Sequence, residues 1–163
     1  MNLRNSISFV VVAAATCCAQ SFAHSPDWVT LVDAPPLTFS SGAPRELKSE
    51  VRFRIKPEMH INSHQPKSEL LIPTTVAFNG TDATKLHLKA EFPVGHDISL
   101  PFEPDEKLNV YSGDFAITIA ASAKGVAPGN YSIPATLNYQ ACNNASCFPP
   151  KTLNFEVDVR VTR

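Results

Sequence analysis

Apolar and polar side chains alternate along most of this chain. Between residues 51 and 56, three apolar side chains alternate with three basic ones, which is the period-two pattern of a strand with one buried face. The same alternation returns in five later segments, at residues 70–78, 85–90, 110–120, 131–141 and 153–161. A shorter strand is expected around residues 28–32, inside a proline-rich lead-in. No segment carries apolar residues at helical spacing for three turns.

Turn-forming residues separate these predicted strands. Short stretches rich in Gly, Asn, Asp and Pro occur at residues 79–82, 95–97, 101–105 and 128–130, as expected for loops between strands. Seven or more short strands in one chain predict an all-β fold, an immunoglobulin-like β-sandwich. A closed barrel is the alternative. The fourteen prolines favour the sandwich, since proline cannot donate a hydrogen bond to a central strand ladder.

The N-terminus has the features of a secretory signal peptide. Arg4 precedes a short apolar block, and small residues lead to Ala23, a pattern typical of a cleaved leader. The apolar block is about half as long as the ~20 residues that span a bilayer. We therefore expect a signal peptide at residues 1–23 and a single domain at residues 24–163, with no membrane insertion after cleavage.

A lipoprotein is the alternative interpretation of this leader. Cys17 or Cys18 would then carry the lipid. Thr16 fits poorly with the small residue expected before the modified cysteine, so we favour simple cleavage.

The charge of the mature chain excludes several classes of partner. Without Arg4 there are 13 Lys and Arg against 15 Asp and Glu, a formal charge of about −2. This balance does not attract nucleic acid or an acidic membrane surface. The chain also lacks a Gly-rich phosphate loop and a Ser-His-Asp pattern, which argues against nucleotide-binding and hydrolase functions.

Cys142 and Cys147 stand in the connection between the last two predicted strands. Export permits a disulfide, so the pair can be a structural staple, a metal pair or a redox couple. A disulfide stabilises mainly by restricting the unfolded chain, and the gain grows with loop length. The loop here is short, which favours reactivity over stapling without deciding between them.

The metal interpretation has less support. A structural zinc ion needs four ligands, commonly from two cysteine pairs or from one pair and histidines, and this loop offers one pair. His60, His64 and Met59 are soft ligands that suit copper. Residues four apart in an extended segment lie ~13 Å apart, too far to bind one ion. We therefore expect no metal and no cofactor.

The segment "YQACNNASCFPP", residues 139–150, resembles the active-site hairpin of the N-terminal periplasmic domain of the thiol:disulfide interchange protein DsbD. The segments "FRIKPEMHINSHQPKSELLIPTTVAF" and "LNVYSGDFAITI" are similar to other parts of the same family, so the similarity covers roughly residues 51–159. It implies an immunoglobulin-like, periplasmic oxidoreductase domain that relays electrons through a hairpin cysteine pair.

The resemblance also implies partners and roles. A thioredoxin-like domain or a membrane electron carrier would reduce the pair, which would then reduce periplasmic thioredoxin-fold proteins. Cys147 corresponds to the cysteine that forms the mixed disulfide with partners, and Cys142 to the resolving thiol. The family covers its cysteines with a cap loop that carries an aromatic residue, a position that Phe102 approaches. The spacing of four residues between the cysteines is one shorter than in some members.

Three further residues are candidates for the walls of this site. Tyr139 shares a face with the apolar residues of its strand, and Phe148 is held beside Cys147 by two rigid prolines. His60 would increase the thiolate fraction of a cysteine across the cleft. Its alternative role is a polar residue bonded to a backbone carbonyl.

Full-length members of the family continue into membrane and thioredoxin-like domains, whereas the sequence here ends at Arg163. We expect a free-standing relay, or a relative that has kept the fold and lost the pathway. The alternative from another functional class is an exported immunoglobulin-like module with an inert disulfide, which would bind a protein or a metal ion.

Overall fold

The computed structural model describes residues 27–40, 46–100, 103–123 and 125–163. The predicted signal peptide at residues 1–23 and the proposed cap residue Phe102 lie outside these ranges. Within them the chain forms twelve strands and one short helix. The elements are β1 (Val29–Asp33), β2 (Leu37–Phe39), β3 (Leu47–Ile55), β4 (His60–Asn62), β5 (Thr75–Phe78), α1 (Thr81–Lys85), β6 (Lys89–Glu91), β7 (His96–Leu100), β8 (Glu103–Ser112), β9 (Asp114–Ala121), β10 (Gly129–Tyr139), β11 (Ala141–Cys142) and β12 (Lys151–Val161).

The strands form three four-stranded sheets. Sheet A has the strand order β1-β3-β9-β6, sheet B the order β2-β12-β10-β5, and sheet C the order β11-β4-β8-β7. The pairs are antiparallel, apart from the parallel pair of β2 and β12. The apolar faces of sheets A and B enclose one core, so the predicted immunoglobulin-like sandwich is confirmed.

The core is built by the alternation that marks the strands in the sequence. In β3, Val51, Phe53 and Ile55 are buried while the arginines between them are exposed. Phe53 of sheet A is fully buried and stacks on Phe115 with ring centroids 5.4 Å apart. It also packs edge to face against Phe155 from sheet B, with ring centroids 5.5 Å apart. Aromatic pairs of these kinds add to the energy of area burial, so Phe53 ties the two layers together.

Sheet C continues strands from both layers of the sandwich. From sheet A, β3 leads through a short turn to β4, and β8 is joined to β9 by a turn at Gly113. Gly113 has a φ of 65°, a left-handed conformation that glycine adopts without strain. From sheet B, β10 gives way to β11 after Gln140. Sheet C therefore receives Cys142 directly from a central strand of the sandwich.

Several strand predictions need correction. The run at 110–120 is two strands, because the turn at Gly113 divides it into the last residues of β8 and nearly all of β9. The run at 70–78 is a strand only from Thr75, since Pro73 cannot donate to a ladder. The predicted turn at 95–97 is the start of β7. The short strands β2 and β4 were not predicted, because three residues carry too little alternation to detect.

The prediction of a strand at residues 85–90 is wrong at its beginning. Helix α1 ends there, and only the last residues belong to β6. An ion pair of 3.0 Å joins Asp82 to Lys85, three residues along the helix, and such a pair supports a helical turn. Ala83 and Leu86 are buried against the core. A helix of five residues is too short to show helical periodicity in the sequence.

No helix in the described part of the chain is both long and apolar enough to cross a membrane.

Candidate functional site at the cysteine hairpin

The two cysteines form a disulfide in the connection between β10 and β12. These strands pair along their whole length, from Gly129 opposite Val161 to Tyr139 opposite Lys151. The predicted hairpin between the last two strands is therefore confirmed. The connecting segment, residues 140–150, contains β11 and then the turn that carries Cys147. We call this segment the cysteine loop.

Asn143 organises the turn between the two cysteines. Its side-chain oxygen accepts hydrogen bonds from the backbone N–H groups of Ala145 and Ser146, each 2.8 Å long. Its own backbone N–H donates to the carbonyl of Ser146 at 2.9 Å. Asparagine commonly forms turns of this type by bonding to the backbone two residues ahead. These bonds hold the turn independently of the sulfur–sulfur bond.

The two sulfur-bearing residues differ in their access to solvent. Cys142 has no exposed surface, because β11 pairs with β4 beneath the cysteine loop. Cys147 is exposed at the end of the turn. A thiol or disulfide can react with another protein only where the sulfur can be reached. The geometry therefore makes Cys147 the accessible side of the pair and Cys142 the sheltered side.

His60 lies directly across the ladder from Cys142. It is the partner of Cys142 in the antiparallel pair of β4 and β11. Directly opposed residues in such a pair have Cβ atoms ~4.5–5.5 Å apart on the same face. His60 is only 5% exposed, and its buried Nε2 atom has no hydrogen-bond partner among the described residues. Burial, with a smaller effect of the nearby His96, lowers the pKa of His60.

A cleft of about 730 Å³ opens beside the cysteine loop. Its walls include His60, His96 and Asn144, together with the turn that precedes β4. On the far wall, the hydroxyl of Ser112 lies 3.1 Å from Nε2 of His96. His60 therefore stands between the disulfide on one side and this polar wall on the other, since Ser112 is its ladder partner in β8.

An aromatic cluster supports the exit of the cysteine loop. The ring of Phe148 packs against that of Trp28, with centroids 4.9 Å apart. The ammonium group of Lys56 lies 5.5 Å from the centre of the Trp28 ring. Tyr139 is 1% exposed, and burial raises the pKa of its hydroxyl, an effect partly offset by the backbone N–H groups of Trp28 and Val29. The N-terminal end of the described domain is thus packed against the residue that follows Cys147.

Gln140 connects the cysteine loop to its surroundings. Its side-chain N–H donates to the carbonyl of Phe148 at 3.2 Å, and its side-chain oxygen accepts from Asn62 at 3.1 Å. The amide of Asn62 also donates to the carbonyl of Ile72 at 3.0 Å. Two amide side chains therefore tie the cysteine loop to β4 and to the segment that leads to β5.

The structure brings most of the predicted site residues together. Cys142, Cys147 and His60 meet at the cysteine loop, and Phe148 flanks them. Tyr139 is a buried core residue just before the loop, while Phe102 lies outside the described residues.

Sequence analysis did not find Gln140, Trp28 or the His96–Ser112 pair. Trp28, His96 and Ser112 lie far from the cysteines along the chain. Only Gln140 carried a signal, because it stands inside the quoted motif.

The described ranges contain no set of side chains suited to a metal centre. No group of three or more His, Cys, Asp and Glu side chains is close enough there to hold an ion. His64 is turned away from His60, since its ring stacks on Phe92 at 4.0 Å and its Nδ1 lies 3.0 Å from the carbonyl of Thr74.

A family model described as "Thiol:disulfide interchange protein DsbD, N-terminal" matches residues 29–159 of this chain. The chain belongs to the DsbD N-terminal family. The match runs from β1 into β12 and includes both cysteines, His60, Gln140 and Phe148. It confirms the resemblance inferred from the cysteine motif and places the disulfide within the part of the fold that defines the family.

Two solved structures resemble this chain to different degrees. The N-terminal periplasmic domain of ScsB from Proteus mirabilis matches with a TM-score of 0.51 and 11% sequence identity, over 81% of this chain and 44% of that chain. This DsbD N-terminal family member therefore spans less than half of that chain. The N-terminal domain of Neisseria meningitidis DsbD in its reduced form matches with a TM-score of 0.43 and 22% identity, over 68% and 76% of the two chains. Comparison with curated proteins gives no match.

Proposed function

We propose that this protein is a periplasmic thiol–disulfide exchange domain that relays electrons through Cys142 and Cys147. The observation that carries the proposal is the unequal access to the two cysteines within a short hairpin disulfide. Cys147 is exposed and is bonded to a fully buried Cys142. One sulfur is therefore accessible to a partner, and the other is sheltered and can resolve the mixed disulfide. Membership of the DsbD N-terminal family supports the same function.

The proposed exchange begins at Cys147. A thiolate of the electron donor attacks the sulfur of Cys147, and the Cys142–Cys147 bond breaks as a mixed disulfide forms. Cys142 leaves as a thiolate and takes up a proton. A second thiol of the donor then displaces Cys147, which leaves the cysteine pair reduced and the donor oxidised. The same steps in reverse pass the two electrons to an acceptor disulfide.

The proposed partners follow from this chemistry. The donor is a thioredoxin-like domain or a membrane electron carrier, and the acceptors are thioredoxin-fold proteins of the periplasm. A partner must bring its sulfur to the open side of the cysteine loop, because the other side is covered by β4. No cofactor takes part in the proposed steps.

The equilibrium reduction potential of the cysteine pair tests the proposal. The purified mature protein is equilibrated with glutathione or dithiothreitol buffers, and the thiols are trapped and counted by mass spectrometry. We expect a potential of roughly −180 to −270 mV, the range of exchange proteins. A potential below about −300 mV is typical of structural disulfides. That result would overturn the relay in favour of an exported binding module with an inert disulfide.

Two matched variants extend this test to the order of attack. Cys142→Ala leaves the exposed Cys147 free, and we expect it to hold a stable mixed disulfide with a partner or with glutathione. Cys147→Ala leaves only the buried thiol, and we expect it to trap neither. Equal trapping by both variants would contradict the assigned roles.

A further inference from the structure

The imidazole of His60 is an anomaly in the oxidised structure. Buried polar atoms normally have a hydrogen-bond partner, and an exception calls for a physical reason. Nε2 of His60 is buried without one among the described residues. Leaving such an atom unpaired is unfavourable, and a residue that cannot hydrogen-bond would avoid this cost at the same position.

The neighbour that His60 faces changes chemically with the redox state. Across the ladder lies Cys142, whose sulfur is bonded to Cys147 in this structure and carries no proton. On reduction, the same sulfur becomes a thiol in a site with no access to solvent. The reduced form therefore supplies, next to His60, the S–H group that the oxidised form lacks.

Burial keeps the ring of His60 neutral, with a smaller effect of His96. Desolvation and the nearby His96 both lower the pKa of His60, so at neutral pH its ring has a free lone pair. The charged side chains that line the same cleft are Lys56 and Glu58, both exposed and on the turn before β4. A neutral imidazole beside a thiol is suited to accept its proton.

We propose that His60 is the general base that removes the thiol proton of Cys142 when the reduced protein passes its electrons on. This role rests on the proposed exchange function and assigns a proton acceptor to its resolving step. Cys142 has no exposed surface, so water cannot easily take this proton. His60 bridges the gap between the buried sulfur and the open cleft.

The proposed step balances in atoms and electrons. After Cys147 has formed a mixed disulfide with the acceptor, Nε2 of His60 takes the proton from the sulfur of Cys142. The resulting thiolate attacks the sulfur of Cys147, so the Cys142–Cys147 bond forms and the mixed disulfide breaks. The acceptor sulfur leaves as a thiolate and receives the proton from the imidazolium through the cleft. Two electrons have then passed from the cysteine pair to the acceptor disulfide.

The test separates the two chemical steps with oxidised glutathione as the acceptor. Reduced protein is mixed with oxidised glutathione, quenched with acid at intervals and analysed by mass spectrometry, which distinguishes the glutathione adduct of Cys147 from the internal disulfide. The variants are His60→Gln, which keeps a polar side chain without a titrating base, and His96→Gln as the matched control from the same cleft.

We expect His60→Gln to form the adduct at the normal rate and to resolve it roughly 100-fold more slowly, the lower range for loss of a general base. The adduct then accumulates. The wild-type resolution rate should be flat above the lowered pKa of His60, whereas the variant rate should rise about tenfold per pH unit with the thiolate fraction. His96→Gln should resolve the adduct as fast as the wild type on the plateau, and the plateau should begin at a higher pH because His96 lowers the pKa of His60.

Equal resolution rates and equal pH profiles in the wild type and His60→Gln would overturn the role of His60. Failure of every protein, wild type included, to form the adduct would instead overturn the exchange function. A measurement on the wild type alone covers the case in which His60→Gln does not fold. The ¹⁵N chemical shift of Nε2 of His60 should change on reduction, and an unchanged shift would overturn the proposal.

Discussion

The sulfur atoms of one disulfide are placed in two different environments. Cys142 sits in a strand pair under the cysteine loop, and Cys147 sits at the open end of a turn held by Asn143. The sequence motif identified the pair, because a C-x₄-C spacing before two prolines is visible in a single chain. It could not show which sulfur is covered, since the cover comes from β4, a strand far away in the sequence.

His60 shows the limit of sequence reasoning at the level of single residues. The family resemblance suggested a place across the cleft from the cysteines, and the expected effect was a larger thiolate fraction of one cysteine. The structure lowers the pKa of His60 by burial, so the ring is neutral at neutral pH and acts as a proton acceptor in our proposal. Burial depends on packing among β4, β8 and β11, which no local pattern encodes.

The lowered pKa of His60 predicts how stability depends on pH. The unfolded chain binds a proton near the ordinary pKa of histidine, ~6.5, while the folded chain binds it only at lower pH. Between these two values the unfolded state holds more protons, so the free energy of unfolding falls as the pH falls. The contribution is constant above the unfolded pKa.

Urea denaturation at pH 7.5 and pH 5.0, followed by circular dichroism, measures this effect. We expect His60→Gln to lose less stability than the wild type between the two pH values, and His96→Gln to track the wild type more closely. A wild type and His60→Gln with the same loss would contradict the prediction.

Among the elements, the long strands were predictable and the short ones were not. Strands β3, β10 and β12 each show several cycles of alternation, and their buried faces match the apolar positions of the sequence. The break between β10 and β11 could not be predicted in this way. The apolar face continues from Tyr139 to Ala141, yet the chain moves from sheet B to sheet C at Gln140, a change of partner that hydrophobic pattern does not record.

Gln140 is predicted to hold the cysteine loop in place. Gln140→Leu removes the donor to the carbonyl of Phe148 and the acceptor of the Asn62 amide, and loss of buried partners costs about 1–3 kcal/mol. We expect this loss of unfolding free energy, with faster hydrogen exchange at residues 141–148.

Thr136→Val, on the strand that leads to Gln140, is the matched control for Gln140→Leu. It removes one exposed bond to Asn154 and should change stability by less than about 0.5 kcal/mol. Urea unfolding and hydrogen exchange by mass spectrometry give both values. If Gln140→Leu lost no more stability than Thr136→Val, the loop would not depend on this amide network.

At the scale of the whole molecule, the sandwich follows from its two-sided strands. Strands with one apolar face must bury that face against another layer, and sheets A and B do so around Phe53 and its neighbours. The third sheet was not expected. It is assembled from strand ends that leave the sandwich at Gly113 and Gln140, and it holds the candidate site outside the main core.

The position of the site predicts that the fold survives reduction. The disulfide joins residues only five apart, and closing so short a loop stabilises a protein by about 2 kcal/mol. Neither cysteine belongs to the hydrophobic core between sheets A and B. We therefore expect the reduced protein to keep its far-ultraviolet circular dichroism spectrum and to lose about 2 kcal/mol of unfolding free energy.

Urea titrations with and without dithiothreitol measure the difference between the two redox forms. A reduced protein that unfolds without urea would contradict this expectation. It would also mean that the disulfide is a structural staple of the whole domain.

Trp28 is the only tryptophan of the chain, and its ring packs on Phe148, the residue after Cys147. The domain therefore contains an intrinsic fluorophore one side chain away from the exposed sulfur. Any movement of the cysteine loop on reduction alters the surroundings of that indole and so its emission. The proposed exchange reaction can therefore be followed in real time by tryptophan fluorescence, without a dye and without stopping the reaction.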